Sequence, residues 1–532
     1  MRKILFIIAA GICLIAFANG YLTQSRKLSL AESVISHFYV DSINEEELVE
    51  NAIVGMLKEL DPHSSYTNAK ETKEMNEPLE GNFSGIGITF NMNLDTLYVI
   101  QTVNGGPSER VGIRAGDRII AVNDTAIAGV KMRNTDIMKK LRGKKGTNVN
   151  LKVLRHNTGS PDQIIDFTVT RAEIPIHSID VFYMATPEVG YVKINRFSAT
   201  THDEFMKAIK KLKAEGMKKL IIDLTDNGGG YLGTAVDMLG EILEPGSVAV
   251  RTEGLNSPRQ EFKAQGATGT PALAGMPLVV LLNQYSASAS EIMAGAIQDW
   301  DRGVIVGRRS FGKGLVQRPF PFPDGSMIKL TVAHYYTPSG RDIQKPYKKG
   351  ASEDYALDIL DRYKKGELMH ADSIHFVDSL KVNTLKKHRV IYGGGGITPD
   401  KFVSLDTTEY SDYYRDVMAK GLINQYSIGY TDKNRKQLLK QYPTGTSFIS
   451  NFNITDQMLK ELCDMAEAEK IPFKQEGFDR SRKIFETAIK ALIGRDVYDE
   501  EVFYRIWNAR NEIMLEGLEI INSPEYNKIL SN

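Results

Sequence analysis

The 532-residue chain carries 66 Lys and Arg against 66 Asp and Glu, with 42% hydrophobic and 25% charged residues. That length exceeds one ordinary core and predicts about three or four folded domains. The even charge and the lack of a concentrated basic face exclude a polyanion-binding protein, so no nucleic-acid partner is expected.

In MRKILFIIAAGICLIAFANGY, Arg2 and Lys3 precede an uncharged run from Ile4 to Ala18 that ends on Ala16-Phe17-Ala18. The run fits a secretory leader and is short for a span of about 20 apolar residues. Residues 1–20 are read as a signal peptide or a membrane anchor, so the bulk of the chain is expected outside the cytoplasm. Without the leader only Cys463 remains of the two cysteines. No disulfide framework follows, and neither a metal nor another cofactor is expected.

Residues 21–82 show helical spacing in LAESVISHFYV and EELVENAIVGMLKEL, broken by Pro62 in LDPHSSYT. Residues 83–172 change texture to β-branched alternation between Gly-rich turns, in GIGITFNM, TLYVIQTV, RIIAVND and TNVNLKVLR, with one helix at IMKKLRG. Over 173–407, strand and helix signals interleave, and PLVVLLNQ reads as a strand buried on both faces. The expected fold is multidomain α/β, a core of βα units carrying a β-rich domain, with helical regions at both ends. A charged, helical-looking insertion occupies 345–388, and 408–532 is helical without a motif. For the latter, packing, assembly and partner docking all stay open.

PLVVLLNQ runs into SASASEIMAGAIQDWDRGVIVGRRSFGKG, residues 286–314. Ser288 with Glu291 three residues on fits a capping box at the start of a helix over Ala289–Ile297. The same strand-to-helix turn suits a nucleophile, because α/β sheets place ligands at strand carboxyl ends and helix N–H groups hold anions. A lysine serves as base when desolvated; Lys313 has Phe311 as apolar cover, yet an ordinary turn lysine fits equally. Spacing alone leaves helix cap and nucleophile open, and does not choose among Ser286, Ser288 and Ser290.

The stretch resembles the signature of the carboxyl-terminal processing (tail-specific) proteases, in which a serine is followed 25 positions later by a lysine and four beyond that by a glutamine. Ser288, Lys313 and Gln317 fit that spacing. GNFSGIGI, IIDLTDNGGG, YYTPSGRDIQ and GGGITPD resemble further family segments in the family's order. The resemblance implies an extracytoplasmic Ser–Lys endopeptidase acting on proteins with accessible C-terminal tails, set by analogy in a bacterial periplasm. Ser288 is then the nucleophile, Lys313 the base and Gln317 its orienting residue. Ala289 and either Gly228 or Gly229 would form the oxyanion hole. Region 83–172 resembles a PDZ domain whose Gly85, Ile86, Gly87 and Ile88 would take the substrate tail. A non-catalytic peptide-binding or scaffold protein of the envelope is the alternative, disfavoured by the complete catalytic set. An inner-membrane tether through the leader, an adaptor and a homo-oligomer stay open as partners.

Three departures from the family pattern stand out. Thr225 replaces the usual Arg of the DLRxNxGG segment, so a structural ion pair is expected to be missing. Arg308 and Arg309 replace Glu-Pro, and the 345–388 insertion is longer than usual. Asp299 matches an acidic family position and is expected as a helix-end surface charge.

Overall fold

A computed structural model describes residues 23–93, 95–156, 161–266 and 269–531. The leader expected over 1–20 lies outside the described residues, among which no helix is long and apolar enough to cross a membrane. The chain divides into two compact units.

The first unit takes the described part of Met1–Thr72 with Gln317–Thr331 and Tyr347–Leu357. Helix Glu45–Lys58 starts on Asn44, whose side chain accepts from the Glu47 N–H, and three glutamates fill its first turn, where they suit the helix dipole. Beyond Pro62, strand Ser65–Thr67 pairs antiparallel with Met327–Lys329. Asp61 organises the turn between them. Its carboxylate accepts from the His63 N–H at 2.9 Å, the Ser64 hydroxyl at 2.5 Å and the Thr331 hydroxyl at 2.9 Å. Burial pushes this carboxyl up, but those hydrogen bonds outweigh it and hold the group below its ordinary value. Thr331 in turn accepts from the Gln317 amide nitrogen at 3.2 Å.

The second unit takes Lys73–Val316, Val332–Pro346 and Asp358–Asn532. Within it, the β-rich region forms an antiparallel sheet in the order Ile88–Asn93, Thr96–Thr102, Arg118–Val122, Asn148–Arg155, Gln163–Thr170. In Asn148–Arg155 exposed and buried residues alternate, and Val149, Leu151 and Val153 point into a core with Leu97, Val99 and Ile119. Helix Asn134–Leu141 adds Ile137 and Leu141 to the same core.

The α/β core is a six-stranded sheet ordered Ile179–Met184, Val189–Ile194, Lys219–Asp223, Leu278–Leu282, Val304–Gly307, Lys401–Phe402. The first pair is antiparallel and the rest are parallel. All five residues of Leu278–Leu282 are buried, as a strand covered on both faces requires. Helices Thr201–Ala214, Leu232–Gly240 and Ala289–Asp299 supply one cover. The other comes from the C-terminal region: Ile513, Met514, Ile520 and Ile521 pack on Tyr191, Ile221, Val279 and Leu281. Its preceding helices build a separate core around Phe448, Leu459 and Phe485.

Three sequence expectations are corrected here. The insertion is helical only over Ser352–Lys364; two short 3-10 turns and strand Lys381–Asn383 follow. Asp299 is no surface charge: it is wholly buried and pairs at 2.5 Å with Arg341 of the TPSGRD segment, itself buried. Helical phase faces Asp299 inward, and the distant Arg341 is what neutralises it. Nor is an ion pair missing at Thr225. Lys193 from the adjacent strand lies 3.0 Å from Asp223 and 2.7 Å from the Thr225 hydroxyl, so a cation enters from the side. Asp299→Ala is expected to destabilise the protein by about 3–5 kcal/mol, the usual cost of stranding one partner of a buried pair, measured by chemical denaturation.

Candidate active site

Strand Leu278–Leu282 ends in a turn that leads into helix Ala289–Asp299, and the turn resolves the three serines by burial. Ser286 is fully buried; its hydroxyl donates to the Leu224 carbonyl at 2.8 Å and accepts from the Asn283 N–H at 3.0 Å. Ser290 is equally buried and donates to the Asn227 carbonyl at 2.9 Å. Both bind the serine turn to the loop after strand Lys219–Asp223. Ser288 alone of the three is partly exposed. Its φ of 57° with ψ of −115° is a conformation that L residues rarely adopt, costing of order 1–3 kcal/mol.

Glu291, one turn into the helix, is the hub of the site. Its carboxylate is fully buried and accepts four hydrogen bonds, two on each oxygen. Oε2 takes the backbone N–H of Ser288 at 2.8 Å and that of Lys313 at 2.9 Å. Oε1 takes the Ser310 hydroxyl at 2.6 Å and the Gly312 N–H at 2.7 Å. Burial pushes the Glu291 carboxyl up, while the bonds from Ser310, Lys313, Gly312 and Ser288 pull against it. On the carbonyl side, Tyr335 shares its buried hydroxyl between the oxygens of Ser288, at 3.2 Å, and Lys313. One carboxylate and one phenol thus lock the main chains of Ser288 and Lys313 together.

The Gly-rich loop packs on the same turn. The Asn227 carbonyl accepts from the Ala287 N–H at 3.0 Å, and its side-chain oxygen accepts from the Gly229 N–H at 2.8 Å. Gly229 sits at φ 103°, where a Cβ would lie 2.7 Å from the Ser288 Cβ. Gly228 is exposed, and no atom lies within 4 Å of where its Cβ would be. Ala289 is the first residue of the helix, and the N–H groups that follow it bond back into the turn, Ser290 to the Ala287 carbonyl at 3.2 Å and Glu291 to that of Ser288 at 2.9 Å.

Gln317 falls in the first unit, with its amide nitrogen on Thr331. The Phe311 ring carries the Lys345 ammonium 4.0 Å from its centroid. In the sequence Glu291 reads only as half of a capping box, and neither Tyr335 nor Asn227 stands out by type or spacing. Asn227 stands inside IIDLTDNGGG and Tyr335 opens YYTPSGRDIQ, so both lie within the motif segments.

In the β-rich domain, Gly85 closes a short strand paired with Ala172–Pro175, Gly87 adopts φ 72°, and Ile88 opens the sheet's edge strand. Ile86 is 3% exposed and belongs to the domain core, while Ile88 is half-buried beside it. The Ile86 carbonyl accepts from Ser108, and the Gly87 carbonyl from Val103. A trans peptide points its C=O and N–H in opposite directions. The N–H groups of Gly87 and Ile88 therefore face the outer side of the loop. Among the described residues, Ile88–Asn93 pairs only with Thr96–Thr102, so its other edge is open.

Comparison with known proteins agrees with this architecture. Residues 188–357 match the peptidase family S41, 84–164 a PDZ domain, and 17–72 the activating protease CtpB N-terminal domain; 413–499 match a family of unknown function, DUF8443. The carboxy-terminal processing protease CtpB of Bacillus subtilis is 33% identical over 345 residues, covering 64% of this chain and 69% of that protein. A carboxy-terminal-processing protease of Bartonella bacilliformis is 33% identical over 61% of this chain and 74% of its own length. Among solved structures, a photosystem II D1 C-terminal processing protease is 29% identical, with a TM-score of 0.34 over 60% of this chain and 83% of that one. The S41 peptidase and PDZ matches, with these relatives, define a serine protease that carries a PDZ domain. The chain belongs to the carboxy-terminal processing protease family.

Proposed function

We propose that the chain cuts peptide bonds by a Ser–Lys mechanism. The observation that carries this reading is the single Glu291 oxygen that binds the backbone N–H groups of both Ser288 and Lys313. Neutral Lys313 takes the proton from the Ser288 hydroxyl as its oxygen attacks the peptide carbonyl carbon. The carbonyl oxygen becomes an oxyanion held by the N–H of Ala289 and that of Gly228; the Gly229 N–H is already engaged by Asn227. The Lys313 ammonium then gives its proton to the leaving amine as the C–N bond breaks. Water attacks the resulting ester with Lys313 again as base, releasing the acid and restoring Ser288. Gln317 is assigned the orienting role from its spacing. The bond from its nitrogen to Thr331 makes the amide oxygen its acceptor end, and an acceptor suits an amine.

The PDZ domain is assigned the capture of the substrate's C-terminal tail. An extended peptide would add to the open edge of Ile88–Asn93, with its carboxylate toward the N–H groups of Gly87 and Ile88. The setting we assign is extracytoplasmic, on the strength of the leader sequence.

The test is cleavage of an unfolded protein with an apolar C-terminal tail by wild type, Ser288→Ala and Lys313→Ala, with the fold followed by circular dichroism. Each substitution is expected to lower the rate at least about 10³-fold. Cleavage at the wild-type rate by either folded variant would remove the mechanism.

A further inference from the structure

The segment Arg309–Lys313 has no regular secondary structure, yet it is hydrogen-bonded from two directions. One side is the serine helix and its turn, through Glu291 and through the Ser286 carbonyl, which accepts from the Phe311 N–H at 2.9 Å. The other side is the insertion, from its first residue Lys345 onward. Arg362, 3% exposed, donates to the Arg309 carbonyl at 2.7 Å and the Ser310 carbonyl at 3.0 Å. Its Nε donates to Glu367 at 2.8 Å. The Glu367 carboxylate also receives Arg309 through two bonds, at 2.8 and 2.6 Å. The Lys345 N–H donates to the Gly312 carbonyl at 2.9 Å, and its ammonium, over the Phe311 ring, reaches Asp358 at 3.1 Å.

We propose that the insertion is a clasp that sets the position of Lys313, with Arg362 and Glu367 as positioning residues. It rests on the reading of Lys313 as the general base. Three cations, Arg309, Lys345 and Arg362, are matched around the segment by three carboxyls, Glu291, Asp358 and Glu367. A planar guanidinium can hold two successive carbonyls and a carboxylate at once, which a lysine ammonium cannot do with the same geometry. The clasp also accounts for a departure noted in the sequence. Arg309 stands where the family has proline, and its partner Glu367 comes from the longer insertion.

The test measures kcat, KM and the pH dependence of kcat for Arg362→Met, Arg362→Lys and Glu367→Gln, beside Ser288→Ala and Lys313→Ala. Arg362→Met is expected to lower kcat about 10- to 100-fold, the order that a displaced catalytic group costs, with KM within about twofold. Its acid limb should move to higher pH, because a loosened Lys313 is better hydrated and its ammonium harder to deprotonate. Arg362→Lys should recover only part of the rate. A merely structural role would scale kcat equally at every pH. A uniform loss of that kind, or a folded Arg362→Met with the wild-type rate and limb, overturns the clasp while leaving the Ser–Lys reading intact if Lys313→Ala is inactive. A Lys313→Ala enzyme at the wild-type rate removes both. Should Arg362→Met fail to fold, Glu367→Gln decides by the same readouts.

Discussion

Glu291→Gln is expected to lower kcat about 100-fold with the α/β core still folded. The carboxylate faces four donors, two on each oxygen, and no acceptor. An amide placed there either way round turns its NH₂ toward two of them. If the nitrogen replaces Oε2, the N–H groups of Ser288 and Lys313 both lose their acceptor, and donor faces donor at the junction of nucleophile and base. An ångström of displacement between reacting groups costs about 10² in rate. If it replaces Oε1, the Gly312 N–H loses its acceptor, the Ser310 hydroxyl has to turn to accept from the amide, and the lysine segment shifts instead. KM should change little, because Glu291 is buried and contacts no substrate.

The pH dependence separates this from unfolding. Burial raises the Glu291 carboxyl above its ordinary 4.5. A carboxyl raised in the folded state binds its proton more tightly there, so this group adds stability below its ordinary pKa and loses it as pH rises through the raised one. As pH falls through the raised value, the wild-type bridge therefore breaks without the fold being weakened by Glu291. Activity is expected to fall there ahead of the circular dichroism signal. Glu291→Gln should lack that component of the acid limb and keep only that of Lys313.

What the sequence revealed of the site was what lies close in the chain. A strand-length apolar run followed by a cap-like Ser-x-x-Glu announces a strand, a turn and a helix within a dozen residues, and the fold places them so. The three alternate serines were not separable, because burial distinguishes them, and burial comes from the 224–227 loop that receives Ser286 and Ser290. Glu291 reaches Lys313 22 positions on, and Tyr335 reaches back 47 positions to Ser288. Neither separation leaves a periodic trace. Asp299 follows the same logic: a carboxylate at a helix end reads as solvated until a cation from another segment is known to meet it. The C-terminal helices were legible as helices, but not as the second cover of the sheet. A parallel strand such as Leu278–Leu282 requires such a cover without saying which part of the chain supplies it.

Gly229→Ala is the second substitution expected to abolish most activity, by at least about 100-fold in kcat. Two independent costs coincide. At φ 103° an L residue is strained whatever space surrounds it. The added methyl would also lie 2.7 Å from the Ser288 Cβ, 2.8 Å from the Ala287 carbonyl oxygen and 3.0 Å from the Ala289 nitrogen. Two of these neighbours are main chain and the third is a Cβ, so no flexible side-chain end can swing away. The serine turn or the glycine loop must move as a body, and it is this turn that carries both the nucleophile and the Ala289 N–H. Gly233→Ala is the matched control, since it lies in helix Leu232–Gly240 with open space around its Cβ and should cleave at the wild-type rate. Binding of a C-terminal peptide, followed by calorimetry, should be the same in both variants and in wild type, because the PDZ loop is built from other residues. A Gly229→Ala enzyme with the wild-type kcat would mean that the close packing of the glycine loop on Ser288 has no part in catalysis. A loss of peptide binding in parallel would mean that the loop acts on the tail site instead.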